Sequence, residues 1–225
     1  MQLSLSNFAA HLEHSLLLPD ATAAEVAAVC EAAKAHQFAA VCLHPCRVLQ
    51  AYHLLMETSV KIAALIGYPG GASDAEIKAH EAELALDVGA QEIEMVMNMG
   101  RLKDGDDRAV LRELRDVVEA AGGTPVKVIV EPSRLSAADR RRAASLIVES
   151  GARFLVLGTG YHGSHPSDVR EWHAWCGQRV QIKVAGGIRE ASFAMELIAA
   201  GASRLGSTDA PALLKTFEPI QPHLN

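Results

Sequence analysis

Aromatic residues make up only 4% of this 225-residue chain, and cysteine occurs four times. With so few rings, the interior has to be built from Ala, Val, Leu, Ile and Met. Cys30, Cys42, Cys46 and Cys176 are too sparse for a disulfide scaffold and read as free thiols, which suits a reducing cytoplasm. No run approaches the roughly 18 uninterrupted apolar residues of a membrane-spanning helix. The first ten residues show no basic stretch leading into an apolar one, so no secretory signal is expected. Long basic runs are also missing. The balance is 27 acidic against 21 basic residues, a net charge of −6, which argues against nucleic acid as a partner. The one short basic run, Arg140-Arg141-Arg142, is expected on a solvated helix face.

What is present is ordinary globular composition, 49% hydrophobic with 17 glycines and 9 prolines. No linker or charge block divides the chain, so one domain over residues 1–225 is expected. Its clearest feature is an internal echo. Val88-Gly89-Ala90, Ser150-Gly151-Ala152 and Ala200-Gly201-Ala202 each follow an amphipathic stretch and precede a short apolar one. This is a helix closed by glycine in a left-handed conformation, then a strand. Further apolar or β-branched runs at 12–17, 38–43, 61–66, 126–130 and 180–184 bring the strands to eight. Helices are expected at 21–35, 46–56, 106–120, 167–176 and 190–200, and two more open with the capping patterns Ser73-x-x-Glu76 and Ser136-x-x-Asp139. Strands alternating with helices imply a parallel sheet. Eight such units fit a compact (β/α)8 TIM barrel; an open doubly wound sheet is the alternative, but no dinucleotide glycine fingerprint follows the first strand.

In a barrel, reactive side chains come from the C-terminal ends of strands, so charges inside apolar strands are informative. Glu92 and Glu94 share one face of the fourth strand, Lys127 and Glu131 one face of the fifth, and Lys183 lies within the seventh. Unpaired, each would cost several kcal/mol, so pairing across neighbouring strands is expected. Such pairs serve either to organise the core or to form an acid–base site. A lysine with a lowered pKa would also suit imine chemistry. Glycine-rich turns follow the sixth, seventh and eighth strands: Gly158-Thr159-Gly160, Ala185-Gly186-Gly187 and Gly206-Ser207-Thr208. Bare backbone in late loops is where barrels hold phosphate. Asp209 would repel that phosphate unless it caps the helix that follows.

Several stretches resemble the deoxyribose-phosphate aldolase family in order along the chain. Glu13-His14-Ser15-Leu16-Leu17-Leu18-Pro19 is similar to that family's first-strand motif, usually Asp-His-Thr-Leu-Leu-Lys-Pro. Val41-Cys42-Leu43-His44-Pro45, Ile66-Gly67-Tyr68-Pro69-Gly70-Gly71-Ala72, Glu92-Ile93-Glu94-Met95-Val96-Met97-Asn98 and Lys183-Val184-Ala185-Gly186-Gly187-Ile188-Arg189 resemble later motifs. The resemblance implies a barrel that cleaves 2-deoxyribose 5-phosphate to acetaldehyde and glyceraldehyde 3-phosphate through a lysine Schiff base, with no metal and no organic cofactor. It implies phosphate binding at Gly160, Gly186, Gly187, Ser207 and Thr208. It makes Lys183 the second active-site lysine, and puts Glu94 where the family has a proton-relay aspartate.

The sixth strand departs from the pattern. The family reads Phe-Val-Lys-Thr-Ser-Thr-Gly, with the lysine forming the imine; this chain reads Phe154-Leu155-Val156-Leu157-Gly158-Thr159-Gly160. Val156 cannot form an imine. Glu13, Leu18, Glu94 and Leu157 also replace family residues. Three readings follow. Lys183 takes over as the imine-forming residue, with Glu94 as proton shuttle. Or the chain binds a phospho-sugar or a protein without turnover. Or a metal polarises the carbonyl, held by ligands drawn from His14, His44, His162, His165 and Cys46. The expected partners are a small phosphorylated sugar or aldehyde and a second copy of the chain, with no nucleic acid and no membrane.

Overall fold

The structure is a computed structural model that describes residues 3–158 and 163–217. Eight strands form it: β1 (Leu12–Leu16), β2 (Ala40–Leu43), β3 (Lys61–Ile66), β4 (Glu92–Val96), β5 (Val126–Val130), β6 (Phe154–Leu157), β7 (Gln181–Ala185) and β8 (Ala202–Ser207). Each pairs in parallel with the next, and β8 closes on β1 through Leu12–Leu205 and Glu13–Gly206. The (β/α)8 barrel expected from the repeat is therefore the fold, and the open sheet is excluded by closure.

Alternation explains how one strand serves two cores. Outward residues such as Val41, Leu43, Ile93, Met95, Val128, Leu155 and Val184 are fully buried against helices. Inward residues Cys42, Ala63, Leu65, Val96, Ile129 and Val156 make a separate apolar cluster inside the barrel. Helices end as the glycine echo predicts: Gly89, Gly151 and Gly201 have φ of 106°, 85° and 116°, values that side-chain-bearing residues rarely adopt.

Several details differ from the sequence reading. The helix expected to be capped by Ser73 starts at Ala75, with Asp74 as the last extended residue (φ −62°, ψ 153°) and no side-chain cap. Ser136 does cap its helix, accepting a hydrogen bond from the Asp139 N–H at 3.2 Å. Phe38 precedes β2 rather than joining it, and its ring stacks on His36 and meets His14 edge-on. Short helices Leu5–Ala9, Met99–Lys103 and Ala210–Lys215 add to those foreseen. The arginine run is not simply solvated. Arg142 is half-buried and pairs with Asp107 and Asp139, and Arg140 donates to the Pro132 carbonyl at 3.0 Å. Their forked guanidinium groups brace neighbouring helices, a task that a helical charge pattern does not reveal. Trp172 is fully buried and packs on Trp175, over which Arg141 lies. Among the described residues, no helix is long and apolar enough to cross a membrane.

Candidate active site

A cavity of about 480 Å³ opens at the C-terminal ends of the strands. Lys183 and Glu94 line it, as do Gly186, Gly187, Ser207 and Thr208. Of the expected site residues, Gly160 lies outside the described residues, as does His162.

Below the cavity the barrel interior is ionic. Lys183 Nζ donates to Glu13 Oε2 and to Glu94 Oε2, both at 2.6 Å. Lys127 Nζ donates to Glu13 Oε1 at 2.6 Å. It is also 2.7 Å from Glu92 Oε2, an ion pair lying off the hydrogen-bonding direction, and 3.7 Å from Glu94. Arg204 completes the group, 3.6 Å from Glu13 and 3.8 Å from Glu92. Lys127 and Arg204 both lie over the Phe154 ring, at 5.5 and 6.0 Å from its centroid. Three carboxylates thus balance three cations in a column along the barrel axis.

The expectation that these charges pair between neighbouring strands holds for Lys127 of β5 with Glu92 of β4, 2.7 Å apart, but needs correction for the other close contacts. β1 to β5, β1 to β7 and β4 to β7 are not adjacent, so the strongest contacts cross the interior. The side chains are long enough to meet where all strands converge. Glu131 lies just beyond β5, where it accepts from Ser133 Oγ at 2.9 Å.

This geometry settles the direction of the lysine pKa. Burial alone would lower Lys183, but the carboxylates of Glu13 and Glu94 overcome it and hold the group above its ordinary 10.5. Lys127 is raised in the same way, against burial, first by Glu13. Burial would raise Glu13, yet Lys127, Lys183 and Arg204 together hold it well below the usual carboxylate range. The lowered lysine that imine chemistry wants is not what the fold provides.

Val156 pairs with Lys183 in register and is fully buried among the inner apolar residues. Gly206 makes room for the lysine stem: a Cβ there would sit 3.1 Å from Lys183 Cε and 3.2 Å from Ala185 Cβ. Asp209 caps the helix Ala210–Lys215, accepting from the Ala212 N–H at 3.1 Å, and also lines the cavity beside Ser207 and Thr208. The exposed Arg189 adds a cation to the cavity wall that the motif reading did not single out. Glu13 and Arg204 were likewise not counted among the interior charges, although each lies an even number of positions from an inward neighbour, Ser15 and Gly206.

Two of the candidate ligand histidines are engaged with backbone carbonyls. His14 Nε2 bonds the Thr208 carbonyl at 3.3 Å, and burial lowers the ring's pKa. His44 Nε2 bonds the Leu17 carbonyl at 3.1 Å. Among the described residues, no group of three or more His, Cys, Asp or Glu is placed to hold a metal ion.

A closed parallel barrel with two lysines buried in its interior and a cavity at the strand C-termini belongs to the class of (β/α)8 enzyme scaffolds. Residues 8–210 match the model of the DeoC/LacD family aldolases, and the chain belongs to that family. It is 39% identical to a deoxyribose-phosphate aldolase of Geobacillus sp. (strain WCH70), over 93% of this chain and 96% of the relative. It is also 39% identical to one of Cyanothece sp. (strain PCC 7425 / ATCC 29141), over 97% and 96%. The tetrameric deoxyribose phosphate aldolase from Aeropyrum pernix superposes with a TM-score of 0.88 at 27% identity, covering 95% of this chain and 92% of that one.

Proposed function

We propose that this chain binds a small phosphorylated sugar or aldehyde, of which 2-deoxyribose 5-phosphate is the first candidate, and acts on it as an aldolase-type lyase without a lysine imine. Lys183 serves as an ammonium and Glu94 as the proton carrier. The observation that carries this reading is the double 2.6 Å contact of Lys183 Nζ with Glu13 and Glu94 at the base of the cavity. An imine needs a neutral amine as nucleophile, and these contacts favour the charged form.

In the cleavage direction, Glu94 takes the proton of the β-hydroxyl, which sits on the far carbon of the bond to be broken. That oxygen's electrons form the new carbonyl, the carbon–carbon bond breaks, and its electron pair moves into the substrate carbonyl as an enolate. The Lys183 ammonium holds the enolate oxygen. Glu94 then returns the proton to the enolate carbon. Gly186, Gly187, Ser207 and Thr208 line the side of the cavity assigned to the phosphate, and Gly160 is expected beside them. The reading extends to one domain over residues 1–225, to a homo-oligomer of at least two copies, and to a reducing cytoplasm, supported by four unpaired thiols.

Binding without turnover is the second reading, favoured by the buried Val156 beside Lys183. The test is calorimetry with 2-deoxyribose 5-phosphate, followed by borohydride treatment, intact mass and an assay for released glyceraldehyde 3-phosphate. Binding, release and no adduct are expected, with release lost in Lys183→Met. An adduct on Lys183 would overturn the ammonium mechanism. Binding without release would leave the second reading, and no binding would end both.

A further inference from the structure

His14 stands in β1 between two inward residues, Glu13 and Ser15, so its ring points outward, away from the cavity. There it meets Phe38 edge-on and is only 7% exposed. Its partner in register on the neighbouring strand is Ser207, the last residue of β8. Nε2 bonds the Thr208 carbonyl at 3.3 Å, and a carbonyl only accepts, so the ring proton sits on Nε2. The other nitrogen, Nδ1, is buried without a hydrogen-bond partner. The ring is thus held as one neutral tautomer, because a second proton would be buried on a nitrogen with nothing to receive it. Burial lowers the ring's pKa in the same sense.

The peptide that His14 holds joins Thr208 to Asp209. Its carbonyl accepts from His14, and its N–H donates to Ser207 Oγ at 3.1 Å. A carbonyl that accepts a hydrogen bond polarises its own peptide and makes that peptide's N–H a better donor. The donation occupies a lone pair of Ser207 Oγ, so the hydroxyl proton has to turn elsewhere. Ser207, Thr208 and Asp209 all line the cavity. We infer that His14 is a positioning residue: from outside the barrel it locks the Thr208–Asp209 peptide and so aims the Ser207 hydroxyl as a donor at the ligand's phosphate. This rests on the phosphate side proposed above. The same peptide sets where Asp209 begins its helix, and with it the carboxylate that accepts from the Ala212 N–H. A slack peptide would free that carboxylate to face the phosphate and repel it. Both effects of His14 therefore favour the anion.

Calorimetry of the full chain with inorganic phosphate, joined to amide NMR, tests this. His14→Phe fills the ring's place without a donor, and His14→Gln returns a donor at similar reach. His14→Phe is expected to weaken phosphate binding about five- to tenfold, the size of one modest hydrogen bond, and His14→Gln to restore most of it. Ser207→Ala should lose as much, and adding His14→Phe to it should lose little more. The Asp209 amide proton should move upfield in His14→Phe and return in His14→Gln. Resonances away from β1 and β8 should stay in place, which shows that the variants fold. Independent losses in the double variant, or no rescue by glutamine, would overturn the link through Ser207 and leave His14 a packing residue. An Asp209 amide that ignores His14 would overturn the hold on the peptide. If the wild type binds no inorganic phosphate, the phosphate side falls and the aim at a phosphate falls with it. The Asp209 amide then still decides whether His14 holds the peptide.

Discussion

Glu13 Oε2 lies 2.6 Å from Lys183 Nζ, and neither side chain is more than 1% exposed. Glu13's other oxygen holds Lys127 at the same distance, so a single carboxylate joins both interior lysines. Removing its charge should leave two ammonium groups short of a partner. Glu13→Gln is expected to lower stability by about 3–5 kcal/mol, the cost of breaking a buried pair from one side. Urea unfolding measures it, and a loss below about 1 kcal/mol would contradict the role assigned to Glu13.

The same cluster predicts a pH profile. Glu13 has a folded pKa below its ordinary 4.5, so its contribution is complete above that value and disappears as pH falls through the lower folded one. Lys183 and Lys127 are raised above 10.5, so theirs is complete below 10.5 and disappears as pH rises through the folded values. The stability gap between the wild type and Glu13→Gln should therefore be widest between pH 4.5 and 10.5 and narrow on both sides. Urea midpoints across that range, extended at both ends, check it; a gap that ignores pH would refute the assignment.

Val156→Lys places a second amine beside Lys183, its partner in register. Two ammonium groups at that spacing repel, so one of them should titrate lower and become nucleophilic. The variant is expected to be less stable by a few kcal/mol, and to be trapped by borohydride with acetaldehyde as a covalent adduct on residue 156. A folded variant that gives no adduct would mean the rest of the site has departed from imine chemistry as well.

Lys78 and Glu113 form another fully buried pair, 2.9 Å apart, away from the cavity. Lys78 also donates to the Gly71 and Val96 carbonyls at 2.6 and 2.8 Å, tying the loop after β3 to the end of β4. Burial moves Lys78 down and Glu113 up, and the pair only partly offsets this. Lys78→Met alone should cost about 3–5 kcal/mol, while Lys78→Met with Glu113→Leu should cost clearly less, because no buried charge is left unpaired. Chemical denaturation of both variants decides it; equal losses would show that the carbonyl contacts matter more than the charge pair.

Gly206→Ala tests the packing of Lys183. The added methyl would press on Lys183 Cε and Ala185 Cβ. A loss of about 1–3 kcal/mol in thermal unfolding is expected. Unchanged stability would mean the lysine stem can shift freely.

The barrel was legible in the chain because its signals are local. Strand runs, glycine-closed helices and their alternation follow from backbone sterics and from the burial of nearby side chains, and Lys61–Ile66 and Val126–Val130 fall where the apolar runs place them. Lys183 and Glu94 were also legible as charges inside apolar strands, and Gly186, Gly187, Ser207 and Thr208 as small residues at the ends of the last two; all of them line the cavity. The partners were not. Glu13 and Lys183 are 170 positions apart, and Lys78 and Glu113 look like ordinary solvated helix residues until two helices bury them together. Pairing energy depends on distance and on exclusion of water, and both are set only when the sheet closes. The amino-acid sequence by itself determined the scaffold and which chemical groups face its axis. Tertiary structure decided their ionisation, because closing the barrel brings two carboxylates onto Lys183 and keeps it an ammonium.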